Sequence, residues 1–558
     1  MKKIWEIKGK YSKNSSVFNE LLKIRGFDSD EKIDRFLHSS AGHLYSPFLL
    51  KDISKAIDRL FFAQKNNELV MLYGDYDVDG VTSIVLLAKL LRYLEIPFFY
   101  FHPDRLTDGY GFHSRGVSIA LSRGAKLIIT ADCGISDHKT VDYAQRVGID
   151  VIITDHHCPG DSIPDAFAVI NPQRRDCSYP NKDLAGVGVV LKFVQGVFEK
   201  MLIAPSLEEY FEIAAIGTVA DVVPIINENR TITKLGLEII GSQPINPGIN
   251  ALIEIAGIKS RKINCGHVGF QIGPRLNAAG RISRAELATE CLLAQKKERV
   301  QELAYYLNTE NMKRKKICEE VLQQALEKIE RDPHLREGKI IVLSGEGWHR
   351  GVIGIVASKI QSIYYKPIVI ISIEKNVGHG SARSIPAFNI FNALQNLDSW
   401  LLNFGGHSQA AGITIETDNI EQFRESINTL ANTSLSEDDM KERVVVDMEI
   451  DCGAFTVGTI KQIELMQPHS IGNPAPVFAS FGCKLKSSPR RIGQQGDHLK
   501  FQVSHHGKSF ECVYWQAGNN HIETNKGYLD IAYTPSLNEW KGYQKIQFEI
   551  KDCRLSKS

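Results

Sequence analysis

Between about residues 68 and 225, short continuous apolar runs alternate with segments of helical spacing, and few folds accept that pattern. "ELVMLYGD" reads as a strand and "GVTSIVLLAKLLRYL" as a helix. "IPFFYFHP" and "AKLIITADCG" read as strands, "DHKTVDYAQRVG" as a helix, and "IDVIITDHH" and "FAVINP" as further strands. Strands apolar on both faces and separated by helices belong to a parallel sheet covered on both sides. The fold class expected is therefore α/β, built on a parallel sheet.

Acidic residues fall at one edge of that sheet. "LYGDYDVDGVTS" (72–83) places Asp75, Asp77 and Asp79 just after one strand, and Asp132 follows "KLIITA". Asp155, His156 and His157 follow "VIIT", and Asp221 lies in "IGTVADVVPI", past an apolar helical stretch from which it could return to the same edge. Carboxyl ends of strands are where open α/β sheets bind ligands. One aspartate after a strand is ordinarily a helix cap or turn former; four clusters at one edge point to a joint site. Crowded carboxylates raise one another's pKa values, so a side chain, a helix N-terminus or a metal should sit among them. Carboxylates with one or two imidazoles suit Mn²⁺ or Mg²⁺ better than structural zinc. Two ions about 3.5–4 Å apart, sharing a carboxylate, could hold a hydroxide and clamp a phosphorus centre.

The rest of the chain divides by pattern. Residues 1–50 read as a mostly helical lead-in, and 51–284 hold the parallel-sheet domain. Residues 285–335 read as a long connecting helix; 285–332 contain no Gly or Pro, and their charge is that of an interdomain strut rather than a binding face. A smaller α/β domain follows over 336–442, with "GKIIVLSGEG", "GVIGIVASKIQSIY" and "KPIVIISIE". Five or six short β-like runs over 443–558 suggest a small barrel. It carries Phe501, Phe510, Tyr514, Trp515, Tyr533, Trp540 and Tyr543, with Lys500, Lys508, Lys541 and Lys545 interleaved. Such a mixture fits base stacking along a single strand, with about half of the aromatics expected in the core instead.

With 558 residues the chain is too long for one core. Its net charge of +1 gives no bulk sign of nucleic acid, so any basic groove must be local. Ten scattered cysteines without a C-x-x-C pair indicate neither a disulfide framework nor a zinc knuckle, and fit a reducing cytosol. The first residues lack the apolar core of a signal peptide, and no window approaches about 18–20 uninterrupted apolar residues. A cytoplasmic protein with no membrane span is expected. "GDYDVDG" lacks the G-x-G-x-x-G fingerprint, which disfavours a dinucleotide-binding oxidoreductase.

Candidate substrate contacts lie elsewhere. "GPRLNAAGRISR" offers Arg275, Asn277, Arg281 and Arg284 among small residues that let a phosphate backbone approach. "GHGSARS" (378–384) and "GGHSQAAG" (405–412) offer Ser381, Arg383, Ser384, Gly405, Gly406 and His407. Read as loops, these segments could form anion nests for a terminal phosphate.

In order, "GDYDVDG", "TADCG", "TDHH" and "TVADVVP" resemble the four motifs of the DHH phosphoesterase superfamily. With "GPRLNAAGR", "GWHRGVIGIVASKI" and the DHHA1-like "GGHSQAAG", nearly the whole chain resembles the RecJ family of bacterial single-strand-specific exonucleases. The resemblance implies that Asp77 and Asp132 hold one metal, and that Asp79, Asp132, His156 and Asp221 hold the other, with Asp132 bridging. It makes Asp75 a further ligand or a neighbour of one, His157 a phosphate contact or transition-state stabiliser, and Asp155 the group that orients an imidazole. Arg105, Arg275, Asn277, Arg281, Arg350, Ser381, Arg383, Gly405, Gly406 and His407 become DNA or phosphate contacts, and the terminal barrel becomes an oligonucleotide-binding (OB) barrel. The implied activity is 5′→3′ exonuclease action on single-stranded DNA, with two Mn²⁺ or Mg²⁺ ions, release of nucleoside 5′-monophosphates, and a role in repair and recombination. A monomer is expected, with single-strand-binding protein and a RecQ-type helicase implied as partners by resemblance only. The alternatives are a DHH-type hydrolase of short oligonucleotides, cyclic dinucleotides or pyrophosphate, and a non-catalytic replication-fork scaffold.

Overall fold

The N-terminal residues, expected to be mostly helical, open on a strand, β1 (Ile4–Ile7), paired in parallel with a segment far downstream, Ile4 opposite Arg443. That pairing assigns the first residues to the C-terminal part of the chain. The computed structural model describes residues 3–12, 15–204, 206–260, 262–493, 496–517, 527–540 and 543–556. It divides into two units: Ser40–Ser436 with Ser470–Asn473, and the two chain ends, Met1–Ser39 with Glu437–His469 and Pro474–Ser558. Among the described residues, no helix is long and apolar enough to cross a membrane.

The larger unit contains two sheets. The first comprises β2 (Val70–Gly74), β3 (Phe98–Phe101), β4 (Leu127–Ala131), β5 (Asp150–Thr154) and β6 (Ala168–Ile170), all parallel, in the order β3-β2-β4-β5-β6. Alternate residues of one strand enter different cores: Leu72, Ile129 and Ile152 pack on one face, Tyr73, Ile128 and Ile153 on the other. This double burial explains why the strands read as unbroken apolar runs.

The second sheet comprises β7 (Ile341–Glu346), β8 (Ile368–Glu374), β9 (Val377–Arg383), β10 (Asn403–His407) and β11 (Ala410–Glu416), in the order β10-β11-β9-β8-β7. The two glycine-rich segments, expected as loops, are instead largely strands. Ser381 pairs with Gly412, and Gly405 with Gly412 from the other side. The ladder therefore engages the backbone that an anion nest would have used.

The segment 285–335 breaks into Glu286–Leu293 and a 35-residue helix, Lys297–Arg331. That long helix is core material at both ends. Val300, Leu303, Ala304 and Leu307 pack into the cluster of the first sheet, while Cys318, Val321, Leu322, Ala325 and Ile329 pack against the second. Its exposed charges are those of a solvated face.

In the smaller unit, β12 (Arg443–Val446) pairs with β1, and β13 (Met448–Glu449) leads into a barrel. The barrel strands are β14 (Phe478–Ile492), β15 (His498–His505), β16 (Lys508–Tyr514), β17 (Tyr528–Trp540) and β18 (Tyr543–Leu555). The sheet order is β13-β14-β15-β16-β18-β17, and pairing of β14 with β17 closes it into a five-stranded barrel. The helices Val17–Ile24 and Asp30–Leu37 contribute Phe18, Leu21, Leu22 and Phe36 to the same core as Phe478 and Phe548. Lys541 and the side chain of Trp540 lie outside the described residues.

Candidate metal centre and anion-binding face

The chain leaves β2 through Asp75 and enters the helix Val78–Tyr93 at Asp77. Asp77 is the helix N-cap: its Oδ1 accepts from the N–H groups of Asp79 (2.9 Å) and Gly80 (3.1 Å). Gly80 is required by the tightness of this turn, because a Cβ there would lie 2.4 Å from the Asp75 carbonyl oxygen. His102 fixes that turn, its Nδ1 lying 2.7 Å from the same carbonyl and its Nε2 2.8 Å from Thr289 Oγ1.

Asp79 points to the start of another helix, Gly186–Lys200. Its Oδ2 accepts from Gly186 N–H at 2.7 Å and its Oδ1 from Val187 N–H at 2.8 Å, a charge-assisted pair at a helix N-terminus. Asp132 follows β4 with a φ of +63°, an uncommon conformation for a non-glycine residue. A Cβ at Gly186 would stand 2.8 Å from Asp132 Cβ and Oδ1, so glycine is what lets the two backbones approach.

His156 joins the clusters. Its Nε2 lies 3.2 Å from Asp132 Oδ1, 3.5 Å from Asp221 Oδ2 and 4.0 Å from Asp79 Oδ2. Asp221 arrives as the C-cap of the helix Glu208–Ala220. Donor atoms in three sets lie within 4.8 Å of one another: Asp75, Asp77 and Asp132; Asp79, His156 and Asp221; and Asp132, His156 and His157. Asp132 belongs to two of them.

His157 is held apart by other partners. Asp155 Oδ1 accepts from the N–H of His156 (2.7 Å), the N–H of His157 (3.0 Å) and His157 Nδ1 (2.8 Å), and its Oδ2 accepts from Ile135 N–H. Asp155 therefore orients the ring of His157, not that of His156. Tyr110 Oη stands 3.0 Å from His157 Nδ1.

The electrostatics of this group are unfavourable as the protein stands. Burial raises the carboxyls of Asp75, Asp79, Asp132 and Asp221, and neighbouring aspartates push each further upward. Burial lowers the imidazole of His156. Burial would lower His157 too, but its hydrogen bond to Asp155 and the surrounding carboxylates outweigh this and raise it to about 9. Among the described residues, Asp75 Oδ1, Asp132 Oδ1, His156 Nε2 and Asp221 Oδ2 are buried with no hydrogen-bond partner. Buried polar atoms without partners are costly and rare, and here they converge. Hard oxygen donors with an imidazole match divalent manganese or magnesium, so the residues present fit such ions.

A second cluster has the opposite sign. Arg281, on the helix Gly273–Ile282, is lowered to about 9, first by burial and then by repulsion from Arg105 and Arg314, with Arg383 adding to it. Arg383, at the end of β9, is likewise lowered by burial and by Arg105. Arg105 lies over the Tyr76 ring at 4.9 Å, and Ser381 Oγ accepts from Arg383 at 3.2 Å. Arg314 comes from the long helix. Its Nε and Asn277 Oδ1 are buried without a hydrogen-bond partner among the described residues.

Other expected contacts lie outside this group. Arg275 donates to Asn308 and Gln271, Arg284 stands beside Glu286, and Ser384 donates to the Phe388 carbonyl. Arg350, at the first turn of the helix Arg350–Tyr364, donates to the Leu106 carbonyl at 3.4 Å. Gly405, Gly406 and His407 are exposed on β10, with β11 between them and Arg383. In the barrel, Phe501, Phe510, Tyr514 and Tyr533 are buried, whereas Trp515 is 49% and Tyr543 76% exposed. Lys500 pairs with Glu511, Lys508 donates to the Gly453 carbonyl, and Lys545 is exposed.

Sequence reading missed the N–H groups of Gly186 and Val187, the side chains of His102 and Tyr110, and Arg314. Backbone donors have no side-chain signature. "LAGVGVV", with two glycines opening an apolar helix, was the available signal for the first pair.

Comparison with known proteins agrees on all three regions. The DHH family, N-terminal domain, matches residues 69–218, the DHHA1 domain 337–433, and the RecJ OB domain 446–552. The single-stranded-DNA-specific exonuclease RecJ of Bacillus subtilis is 36% identical over 543 residues, covering 96% of this chain and 67% of its own. That of Escherichia coli is 34% identical, covering 96% of this chain and 95% of its own. The crystal structure of RecJ in complex with Mn²⁺ from Thermus thermophilus superposes with a TM-score of 0.83 at 27% identity, covering 100% of this chain and 80% of that one.

Proposed function

Since the chain belongs to the RecJ family of single-stranded-DNA-specific exonucleases, we propose that it hydrolyses single-stranded DNA from the 5′ end, processively, to nucleoside 5′-monophosphates. Its cofactors are two divalent ions, Mn²⁺ or Mg²⁺. The observation that carries this reading is the convergence of unpartnered donor atoms on Asp75, Asp132, His156 and Asp221.

Asp75, Asp77 and Asp132 would hold one ion, and Asp79, Asp132, His156 and Asp221 the other. When bound, the pair makes a water acidic enough to attack at neutral pH and offsets charge on the scissile phosphate. The chain's own groups do the positioning. Gly186 and Val187 hold both oxygens of Asp79 while leaving each a free lone pair. Asp155 holds the ring of His157 in place, at hand for a non-bridging phosphate oxygen. Arg105, Arg281, Arg314 and Arg383, with Ser381, take the terminal phosphate, which would set the polarity. The setting is DNA repair and recombination in a bacterial cytoplasm. A monomeric enzyme, and single-strand-binding protein and a RecQ-type helicase as partners, rest on family resemblance.

The test is a time course on a 3′-end-labelled oligonucleotide, single-stranded or duplex, with Mn²⁺, Mg²⁺ or EDTA. A shrinking ladder from the single strand alone, silenced by EDTA, is expected. Immediate release of labelled mononucleotide would reverse the polarity, and no cleavage with any metal would overturn the reading.

A further inference from the structure

The cysteine spacing gives no hint of a thiolate site, yet folding assembles one in the smaller unit. Cys452 lies in the turn Cys452–Ala454 after β13, Cys483 on β14, and His505 at the end of β15. Their sulfurs and a ring nitrogen lie within 4.8 Å of one another. The two Sγ atoms are 3.8 Å apart. Two thiolates each about 2.3 Å from one tetrahedral ion stand about 3.8 Å apart, whereas a disulfide requires about 2.05 Å. Asp451 Oδ1 lies 3.1 Å from His505 Nδ1, and its Oδ2 lies 3.4 Å from His506 Nε2. Both cysteines are fully buried, while the His505 side chain is 11% exposed and that of His506 73%. The histidines therefore lie on the solvent side of the cluster.

We propose that Cys452, Cys483 and His505 bind one soft divalent ion of the zinc class, with Asp451 completing or orienting the site. The donors are the reverse of those in the carboxylate centre: sulfur and nitrogen select zinc, where the aspartates select manganese or magnesium. Binding displaces the two thiol protons to solvent and leaves the imidazole neutral. The ion would tie the 452–454 turn to β14 and β15, so its role is to hold the barrel together, not to cleave DNA.

The test is Co²⁺ substitution of the full chain, read by the sulfur-to-cobalt charge-transfer band, with thermal unfolding as a second measurement. The band is expected at one ion per chain in wild type and in Asp79→Ala, whose altered centre contains no sulfur, and is expected to be lost in Cys452→Ser and Cys483→Ser. Should the serine variants fail to fold, His505→Gln, at a partly exposed side chain, should keep its fold and weaken or lose the band. Stripping the wild type should lower the thermal midpoint, with recovery on adding Zn²⁺ but not Mn²⁺ or Mg²⁺. Absence of the band at saturating cobalt, a midpoint indifferent to zinc, or a Cys452–Cys483 disulfide in the purified protein would overturn the proposal.

Discussion

The larger unit holds two crowds of like charge, and they are built differently. In the acidic crowd, Asp75, Asp77, Asp79, Asp132 and Asp221, backbone N–H groups at helix ends hold Asp77 and Asp79. The arginine crowd, Arg105, Arg281, Arg314 and Arg383, is held by packing, stacking and a few neutral acceptors. They lie within electrostatic reach, since Arg105 lowers Asp75 and Asp77 raises Arg281, yet among the described residues no ion pair joins them. The proposed function gives each crowd an outside charge: cations among the aspartates, phosphate oxygens among the arginines. Carboxylate oxygens suit hard divalent ions, whereas planar guanidinium forks suit phosphate oxygens.

The comparison breaks most sharply at the acids. Asp79→Ala removes a donor from one cluster and uncaps the helix Gly186–Lys200, so cleavage should fall by about 10³-fold or more while single-strand binding stays measurable. Wild-type-like turnover in that variant would refute the site. Gly186→Ala tests the clamp without removing any ligand. The new Cβ collides with Asp132, and displacing that carboxylate by around 1 Å should cost about 10²-fold in kcat, read beside circular dichroism that shows the fold retained. On the arginine side, if the terminal phosphate binds as proposed, Arg281→Ala and Arg383→Ala each remove a charge-assisted contact worth about 1.5–3 kcal/mol. The loss should appear in KM for 5′-phosphorylated strands, roughly 10–100-fold, with a shallower salt dependence and a smaller change in kcat. An equal fall in kcat and kcat/KM would instead place these arginines at the reacting phosphate.

The acids were legible because strand periodicity fixes where a run ends: three strand runs ended in carboxylates at one sheet edge, and Asp221 followed an apolar helical run. The arginine crowd was only half legible. Arg105, Arg281 and Arg383 stood in motifs, but Arg314 sits in a helix whose charges all look alike in sequence, and only packing shows that its Nε is turned inward. The glycine-rich segments misled because glycine marks both nests and close-packed strands. Gly378 and Gly380 lie against Ile371, Ile413 and Ile415, where a Cβ would stand 2.5–3.0 Å from their side chains. The pairing of β1 with β12 was invisible for a different reason: its partners are hundreds of residues apart, and no local pattern encodes which edge a short strand will join. The thiol–imidazole cluster escaped on the same ground, with its donors on three separated segments.

The smallest effects on DNA handling belong to the barrel, and they separate its two kinds of aromatic. Phe501 is 2% exposed, so Phe501→Ala should cost about 3–5 kcal/mol of stability, seen as a lower denaturant midpoint. Trp515 and Tyr543 cover no comparable core. Trp515 meets His498 edge-on at 5.0 Å and is 49% exposed, so Trp515→Ala and Tyr543→Ala should shift the midpoint far less than Phe501→Ala. If these rings stack on bases, each loss should weaken binding of long single strands by about 1–3 kcal/mol while sparing strands too short to reach the barrel. A uniform loss at every strand length would assign the two rings to general stability, and no loss at any length would remove the barrel's exposed aromatics from the DNA path.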